Sequence, residues 1–149
     1  MATDRPILLV EDNPDDEALT LRAFNKNRIG NQVVVARDGV EALDYLLARG
    51  KFAGRDVHDT PAVVLLDLNL PRLNGLDVLK TVRETHPISH VPVVVLTSSD
   101  EDSDRLAAYR HFANSYVRKP VNYDDFLGAA RELGLYWLVL NRPAPRGPL

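Results

Sequence analysis

The sequence predicts an α/β fold, a doubly wound parallel sheet of five strands with helices on both faces. Two observations carry this prediction. The apolar runs Ile7-Leu8-Leu9-Val10, Ala62-Val63-Val64-Leu65-Leu66 and Val93-Val94-Val95-Leu96 are of strand length and show no polar alternation. Strands buried on both faces of a parallel sheet read this way. Strand-like runs and helix-start signals also alternate five times along the chain, which implies parallel pairing and right-handed crossovers.

Each element has its own justification. The first strand, Ile7–Val10, leads into a helix over 14–27, opened by Asn13 with Asp16 three residues later and Pro14 at the first helical position. Val33–Ala36 is the second strand. Asp38 with Glu41 opens the helix over 38–48, where Val40, Leu43 and Leu47 keep helical spacing. The polar segment Arg49–Thr60, with Gly50 and Gly54, delays the third strand and reads as a surface loop pinned by Phe52. Ala62–Leu66 is that third strand, and Asn74 with Asp77 opens a helix over 75–85 carrying Leu76 and Leu79. Val93–Leu96 is the fourth strand, followed by a helix over 100–112 opened by Ser99 with Asp102. Ser115–Val117 is the fifth, followed by a helix over 122–140 opened by Asn122 with Asp125. In every case the cap oxygen takes an orphaned backbone N–H and the acid faces the positive helix end. The tail from Arg142 holds Pro143, Pro145 and Pro148 and is expected to be extended or disordered.

Composition narrows the function. At 149 residues the chain fits one domain with a sizeable core. A net charge of -3, without a Lys/Arg run, argues against a nucleic-acid surface. With 0 cysteines, disulfides and thiolate metal sites are excluded. No stretch reaches membrane-spanning length or resembles a signal peptide, so a soluble cytoplasmic protein is expected.

The strand ends collect chemistry at one sheet edge, where open α/β sheets place their sites. Glu11 and Asp12 follow the first strand, Asp67 the third, Thr97 the fourth, and Lys119 the fifth. With the first and third strands adjacent at the sheet centre, three carboxylates fall together, which is costly without a cation. The donor set is all hard oxygen, suiting Mg²⁺ or Mn²⁺. His86 and His90 have helix-like spacing, but Pro87 interrupts it. A carboxylate beside Mg²⁺ can attack phosphorus, with Lys119, Thr97 and a backbone N–H balancing charge on the phosphoryl oxygens. The Lys119–Pro120 bond is expected to be cis, aiming the ammonium inward.

Together the residues resemble the receiver domain of two-component response regulators. The matching pieces are Leu8-Leu9-Val10-Glu11-Asp12-Asn13, Asp38-Gly39-Val40-Glu41-Ala42-Leu43, Leu66-Asp67-Leu68-Asn69-Leu70-Pro71, Asn74-Gly75, Val95-Leu96-Thr97-Ser98 and Tyr116-Val117-Arg118-Lys119-Pro120. They span nearly all of the chain from Ile7 to about Leu140. The resemblance implies a flavodoxin-like sheet in the order 2-1-3-4-5 with five helices. It implies that Asp67 accepts a phosphoryl group from a phosphohistidine on a sensor histidine kinase. Asp12, Asp67 and the Asn69 carbonyl would bind Mg²⁺, with Glu11 acting mainly through water. Thr97 and Lys119 would hold the phosphoryl oxygens. Tyr116 would be the aromatic switch that turns inward as Thr97 moves, and Asn69 and Ser99 would tune water access.

The Arg49–Thr60 insertion, the Asn13-Pro14-Asp15-Asp16 helix start and the Arg118-Lys119-Pro120 ending resemble a narrower group, the small regulators associated with bacterial phytochromes. Receivers usually place Gly before the residue equivalent to Ala113. Phe112 stands there, so the helix cap is expected to move to Asn114. Residues 1–141 would form the receiver and 142–149 a Pro-rich tail with no output domain, so the protein would signal by binding.

Other readings fit less well. A phosphatase of the haloacid dehalogenase type needs a second Asp two residues after its nucleophile, where this chain has Asn69. A flavodoxin-like FMN binder needs a phosphate loop where this chain has Glu11-Asp12. A phosphorylation-independent pseudo-receiver would typically lose an acid, the Thr or the Lys. The last helix carries Phe126, Ala130, Leu133, Trp137 and Leu140 as one stripe, with Leu127, Leu135, Tyr136, Leu138 and Val139 off it. That excess of apolar surface predicts a homodimer through helix four, strand five and helix five, with Tyr136, Trp137 and Leu140 in the interface.

Overall fold

The structure is a computed structural model that describes residues 3–145. Elements alternate as β1 (Ile7–Val10), α1 (Pro14–Lys26), β2 (Val33–Ala36), α2 (Gly39–Leu46), β3 (Val63–Leu66), α3 (Gly75–Glu84), β4 (Val93–Thr97), α4 (Asp102–Arg110), β5 (Ser115–Arg118) and α5 (Tyr123–Gly134). The five strands form one parallel sheet in the order β2-β1-β3-β4-β5, as expected.

Strand side chains alternate between two cores. Leu8, Val10, Val64, Leu66, Val93 and Val95 meet α2, α3 and the buried Ala108 of α4. Ile7, Leu9, Val63, Leu65 and Val94 meet Ala23 and Phe24 of α1 and Phe126 and Ala130 of α5. Both faces are covered, so the central strands carry no polar alternation. Each fully buried aliphatic side chain contributes about 1.5–3 kcal/mol.

The caps expected for α1, α2, α3 and α5 form. Asn13 accepts from Asp15 and Asp16 N–H, Asp38 from Glu41, Asn74 from Asp77, and Asn122 from Asp125. The α4 cap does not. The Ser99 hydroxyl donates to Asp104 at 2.6 Å, and the helix starts later, after Glu101, with no side-chain cap bond.

Phe112 itself takes the left-handed conformation (φ 64°), so the cap does not move to Asn114. Its N–H donates to the Tyr109 carbonyl at 3.0 Å and Ala113 N–H to the Ala108 carbonyl at 3.0 Å, the Schellman pattern that usually uses Gly. The Arg83 Nε donates to the Phe112 carbonyl at 2.9 Å, holding that strained turn to α3.

The helix over 122–140 is not uniform. After Gly134 the chain continues as a π-turn over Leu135–Leu140, and Asn141 N–H reaches the Tyr136 carbonyl. The wider turn rotates the side chains that follow. Leu138 is therefore buried at 4% exposure while Leu140 stands out at 60%. Trp137 packs into the core beside Leu133 and Leu138 rather than facing outward.

The segment 49–60 is a surface loop with one 3-10 turn, Gly50–Phe52. Phe52 pins it, its ring edge-on to Tyr45 at 5.1 Å, and the Arg55 guanidinium lies over the Tyr45 ring, 3.7 Å from its centroid. The tail is irregular through Pro145, and Arg5 donates to the Ala144 carbonyl at 2.9 Å. Its last four residues, 146–149, lie outside the described residues.

Among the described residues the cis peptide is His86–Pro87, so Lys119–Pro120 is trans, against expectation. Lys119 N–H donates to the Thr97 carbonyl at 2.7 Å, which extends the β5 ladder by one residue. From that extended backbone the side chain reaches the pocket without a cis bond.

Candidate functional site

The ladders run past the strand ends and fix the functional residues. Glu11 N–H donates to the Ala36 carbonyl at 2.9 Å and Asp67 N–H to the Val10 carbonyl at 3.1 Å. With Lys119 N–H on Thr97, these bonds set Glu11, Asp67, Thr97 and Lys119 side by side on the C-terminal sheet edge. The loop after Asp67 is fixed from behind by Gly75. A Cβ there would lie 2.3 Å from the Asp67 carbonyl oxygen, so only Gly lets α3 start this close.

Lys119 is the hub. Its ammonium lies 2.5 Å from Glu11 Oε1, 2.7 Å from Asp67 Oδ2 and 2.8 Å from Asp16 Oδ2, with the Lys119 side chain only 7% exposed. The other Asp67 oxygen, Oδ1, accepts from the Thr97 hydroxyl at 3.0 Å and from Asn69 N–H at 3.0 Å. Burial pushes the Glu11 carboxyl up to about 7, although Lys119 pulls the other way. Burial also works against the Lys119 ammonium, but its contacts to the accepting carboxylates of Asp16, Asp67 and Glu11 outweigh it and hold its pKa above the usual lysine value. An ammonium fixed between carboxylates stays charged and poised for further anionic oxygen.

Glu11, Asp12 and Asp67 each offer an oxygen, all within 4.8 Å of one another, the one such grouping among the described residues. Glu11 and Asp67 are buried, and Asp12 is exposed. A hard-oxygen set with one member facing water suits a small divalent cation that keeps several of its waters. Asn69 lies just beyond, its N–H on Asp67.

Tyr116 lies inward, half-buried, its hydroxyl on the Ser99 carbonyl at 3.0 Å. The Ser99 hydroxyl is taken up by Asp104. Asp16 was read only as the acid of a helix start, and its bond to Lys119 was missed. The available signal was its place in the first turn of α1, at the same sheet edge as Glu11. Tyr136 and Leu140 sit beyond the end of α5, in the π-turn where Thr3 N–H meets the Leu138 carbonyl, away from this pocket.

Comparison with known proteins gives the family. The family description "Response regulator receiver domain" matches residues 7–131. This chain belongs to the response regulator receiver family. As a receiver it is 42% identical, over 93% of its length and 88% of the relative's, to the "Probable methanogenesis regulatory protein FilR2" of Methanothrix harundinacea. It is 33% identical to "Response regulator Rcp1" of Synechocystis, over 89% of this chain and 88% of that one. The Mn²⁺-bound crystal structure of Rcp1 superposes with TM-score 0.84, covering 94% of this chain and 99% of that one. The bacteriophytochrome response regulator AtBRR is 51% identical, with TM-score 0.75 and coverage of 94% and 99%. The phosphorylated cyanobacterial phytochrome response regulator RcpA is 32% identical, with TM-score 0.86 and coverage of 94% and 98%. This receiver is thus homologous to phytochrome response regulators. No described helix is long and apolar enough to cross a membrane.

Proposed function

We propose that this receiver takes a phosphoryl group onto Asp67 from a phosphohistidine of a sensor histidine kinase. One observation carries the reading. Thr97 and Lys119 hold different oxygens of Asp67, at 3.0 and 2.7 Å, on the same edge as the three-acid cluster. An Asp67 oxygen bonds to phosphorus as the phosphorus–nitrogen bond of the phosphohistidine breaks. The electron pair stays on the imidazole. Lys119 and Thr97 then turn from the carboxylate to the phosphoryl oxygens, where charge develops.

Asp12, Asp67 and the Asn69 carbonyl would hold Mg²⁺ or Mn²⁺, with Glu11 acting through water. The metal, when bound, neutralises phosphoryl charge. Mn²⁺ in the related Rcp1 supports this assignment. The protein is a phosphoacceptor that also loses its phosphoryl group to water, not an enzyme acting on a separate substrate. Its relatives RcpA and AtBRR support a bacterial phytochrome as the kinase.

Signalling is by altered protein contacts in the cytoplasm, without nucleic acid or membrane. Leu135, Tyr136, Val139 and Leu140 are 47%, 50%, 41% and 60% exposed, which supports a homodimer through α4, β5 and α5. The test uses Mg²⁺ with a small acyl phosphate. The wild type should form an acid-stable, base-labile adduct and Asp67→Asn should not. Equal labelling of both would reject Asp67.

A further inference from the structure

We infer that Asp16 is a positioning residue that holds the Lys119 ammonium before phosphorylation and releases it to the phosphoryl group. The inference rests on Asp67 being the phosphoacceptor. An ammonium has three N–H donors. In this structure Asp67 and Asp16 accept two of them, at 2.7 and 2.8 Å, and Glu11 Oε1 lies 2.5 Å from the same nitrogen. An incoming phosphoryl oxygen therefore competes with these carboxyl groups for the ammonium.

The three partners are not equally free to leave. The Glu11 side chain is 2% exposed and the Asp67 side chain 7%, each locked at a strand end. The Asp16 side chain is 34% exposed, on the first turn of α1. It can rotate into water at little solvation cost, whereas a buried carboxylate cannot. Its backbone stays in place: Asp16 N–H bonds the Asn13 side chain at 3.2 Å, and the Asp16 carbonyl accepts from the Thr20 hydroxyl at 2.8 Å.

Asp16 then opposes phosphorylation in two ways. It competes for the same N–H, and its charge repels an incoming dianionic donor. Asp15 separates these effects from general charge and from helix support. It is exposed, lies on the same first turn and makes no ion pair or side-chain hydrogen bond with Lys119 in this structure. A merely structural Asp16 would change stability and leave the Lys119 environment and the reaction rate alone.

The experiment compares wild type, Asp16→Asn, Asp16→Glu, Asp15→Asn and Asp67→Asn. Phosphorylation by acetyl phosphate at saturating Mg²⁺ should be about twofold to fivefold faster in Asp16→Asn, the range for an ion pair with one partly exposed member. Asp15→Asn should match wild type, and Asp16→Glu should restore the slower rate. In metal-free protein, the NMR signal of the Lys119 ε-ammonium should shift in Asp16→Asn and stay in place in Asp15→Asn. An unchanged or slower Asp16→Asn rate, with wild type labelled and Asp67→Asn unlabelled, overturns the inference. So does an equal acceleration in Asp15→Asn. Wild type that takes no label overturns the phosphoacceptor reading, and this inference with it.

Discussion

The Tyr116 hydroxyl donates to the Ser99 carbonyl at 3.0 Å, tying β5 to the loop that leaves β4. Ser99 lies two residues past Thr97, whose hydroxyl is on Asp67. Asp67, Thr97 and Tyr116 thus form one connected path, with Tyr116 turned inward. Tyr116→Phe keeps the ring and removes the bond. It should cost about 0.5–1.5 kcal/mol in urea unfolding, the usual worth of one hydrogen bond. A variant as stable as wild type would show that the bond does not hold the loop.

Asp38 joins two loops. It caps α2 through Glu41 N–H at 2.8 Å and accepts from Arg72 Nε and Nη2 at 3.0 and 2.7 Å. Burial alone would raise its pKa, but Glu41 N–H and the Arg72 guanidinium outweigh burial and hold it below the usual value. A carboxyl depressed in the folded state stabilises above its unfolded pKa of about 3.9, and that stability is lost as pH falls through the folded value. Asp38→Ala should therefore cost about 1 kcal/mol at neutral pH, the usual loss of a cap. The gap to wild type should narrow as urea melts are repeated below about pH 4. A gap that stays constant would mean the carboxylate charge is irrelevant.

What could be read from the sequence follows from period and position. The three central strands are buried on both faces, so apolar runs mark them, and the residue after each run falls on the sheet edge. That placed Glu11, Asp67 and Thr97 without a structure, while Lys119 follows the half-buried edge strand β5 and was read from the short segment that leads into Lys119-Pro120. The Lys119–Asp16 bond spans 103 positions, and helix spacing does not say where the Asp16 carboxylate points. The π-turn leaves no mark in the 3.6-residue spacing, so Trp137 was expected in the interface and Leu138 off the apolar stripe, whereas both are buried in the core. Phe112 breaks the steric preference for Gly because Arg83, distant in sequence, holds its carbonyl.

Lys119 is the counter-ion of a buried acid pair. Lys119→Met leaves Glu11 and Asp67 facing each other, and breaking a buried pair costs about 3–5 kcal/mol. A divalent cation among those carboxylates would replace the lost charge and stabilise the state that binds it. Unfolding in chelator and in Mg²⁺ should show Mg²⁺ stabilising Lys119→Met more than wild type. Equal stabilisation of the two proteins would remove Lys119 from the electrostatics of the site.

Two glycines should respond oppositely. A Cβ at Gly75 would meet the Asp67 carbonyl oxygen at 2.3 Å, while one at Gly128 has nothing within 4 Å. Gly75→Ala should destabilise by about 1–3 kcal/mol through overpacking and slow acyl-phosphate labelling by displacing Asp67. Gly128→Ala, inside α5, should stabilise by up to about 1 kcal/mol through helix propensity. Thermal melts and labelling rates of both variants decide the matter, and normal labelling in Gly75→Ala would show that the loop can yield.

The π-turn after α5 divides into a core face and an outer face, and the two should fail differently. Trp137 is 9% exposed and meets Tyr136 edge-on at 4.8 Å, so it belongs to the monomer. Trp137→Ala should cost about 3–5 kcal/mol whatever the association state. Tyr136 and Leu140 are 50% and 60% exposed, and the π-turn sets them on the outer side. Charge there meets water in a monomer and an apolar partner in a dimer. A Tyr136→Asp, Leu140→Asp double variant should keep the monomer's urea midpoint and lose self-association in sedimentation. A wild type that stays monomeric at high concentration, with and without an acyl-phosphate donor, would end the dimer proposal and leave these side chains without a partner of their own kind.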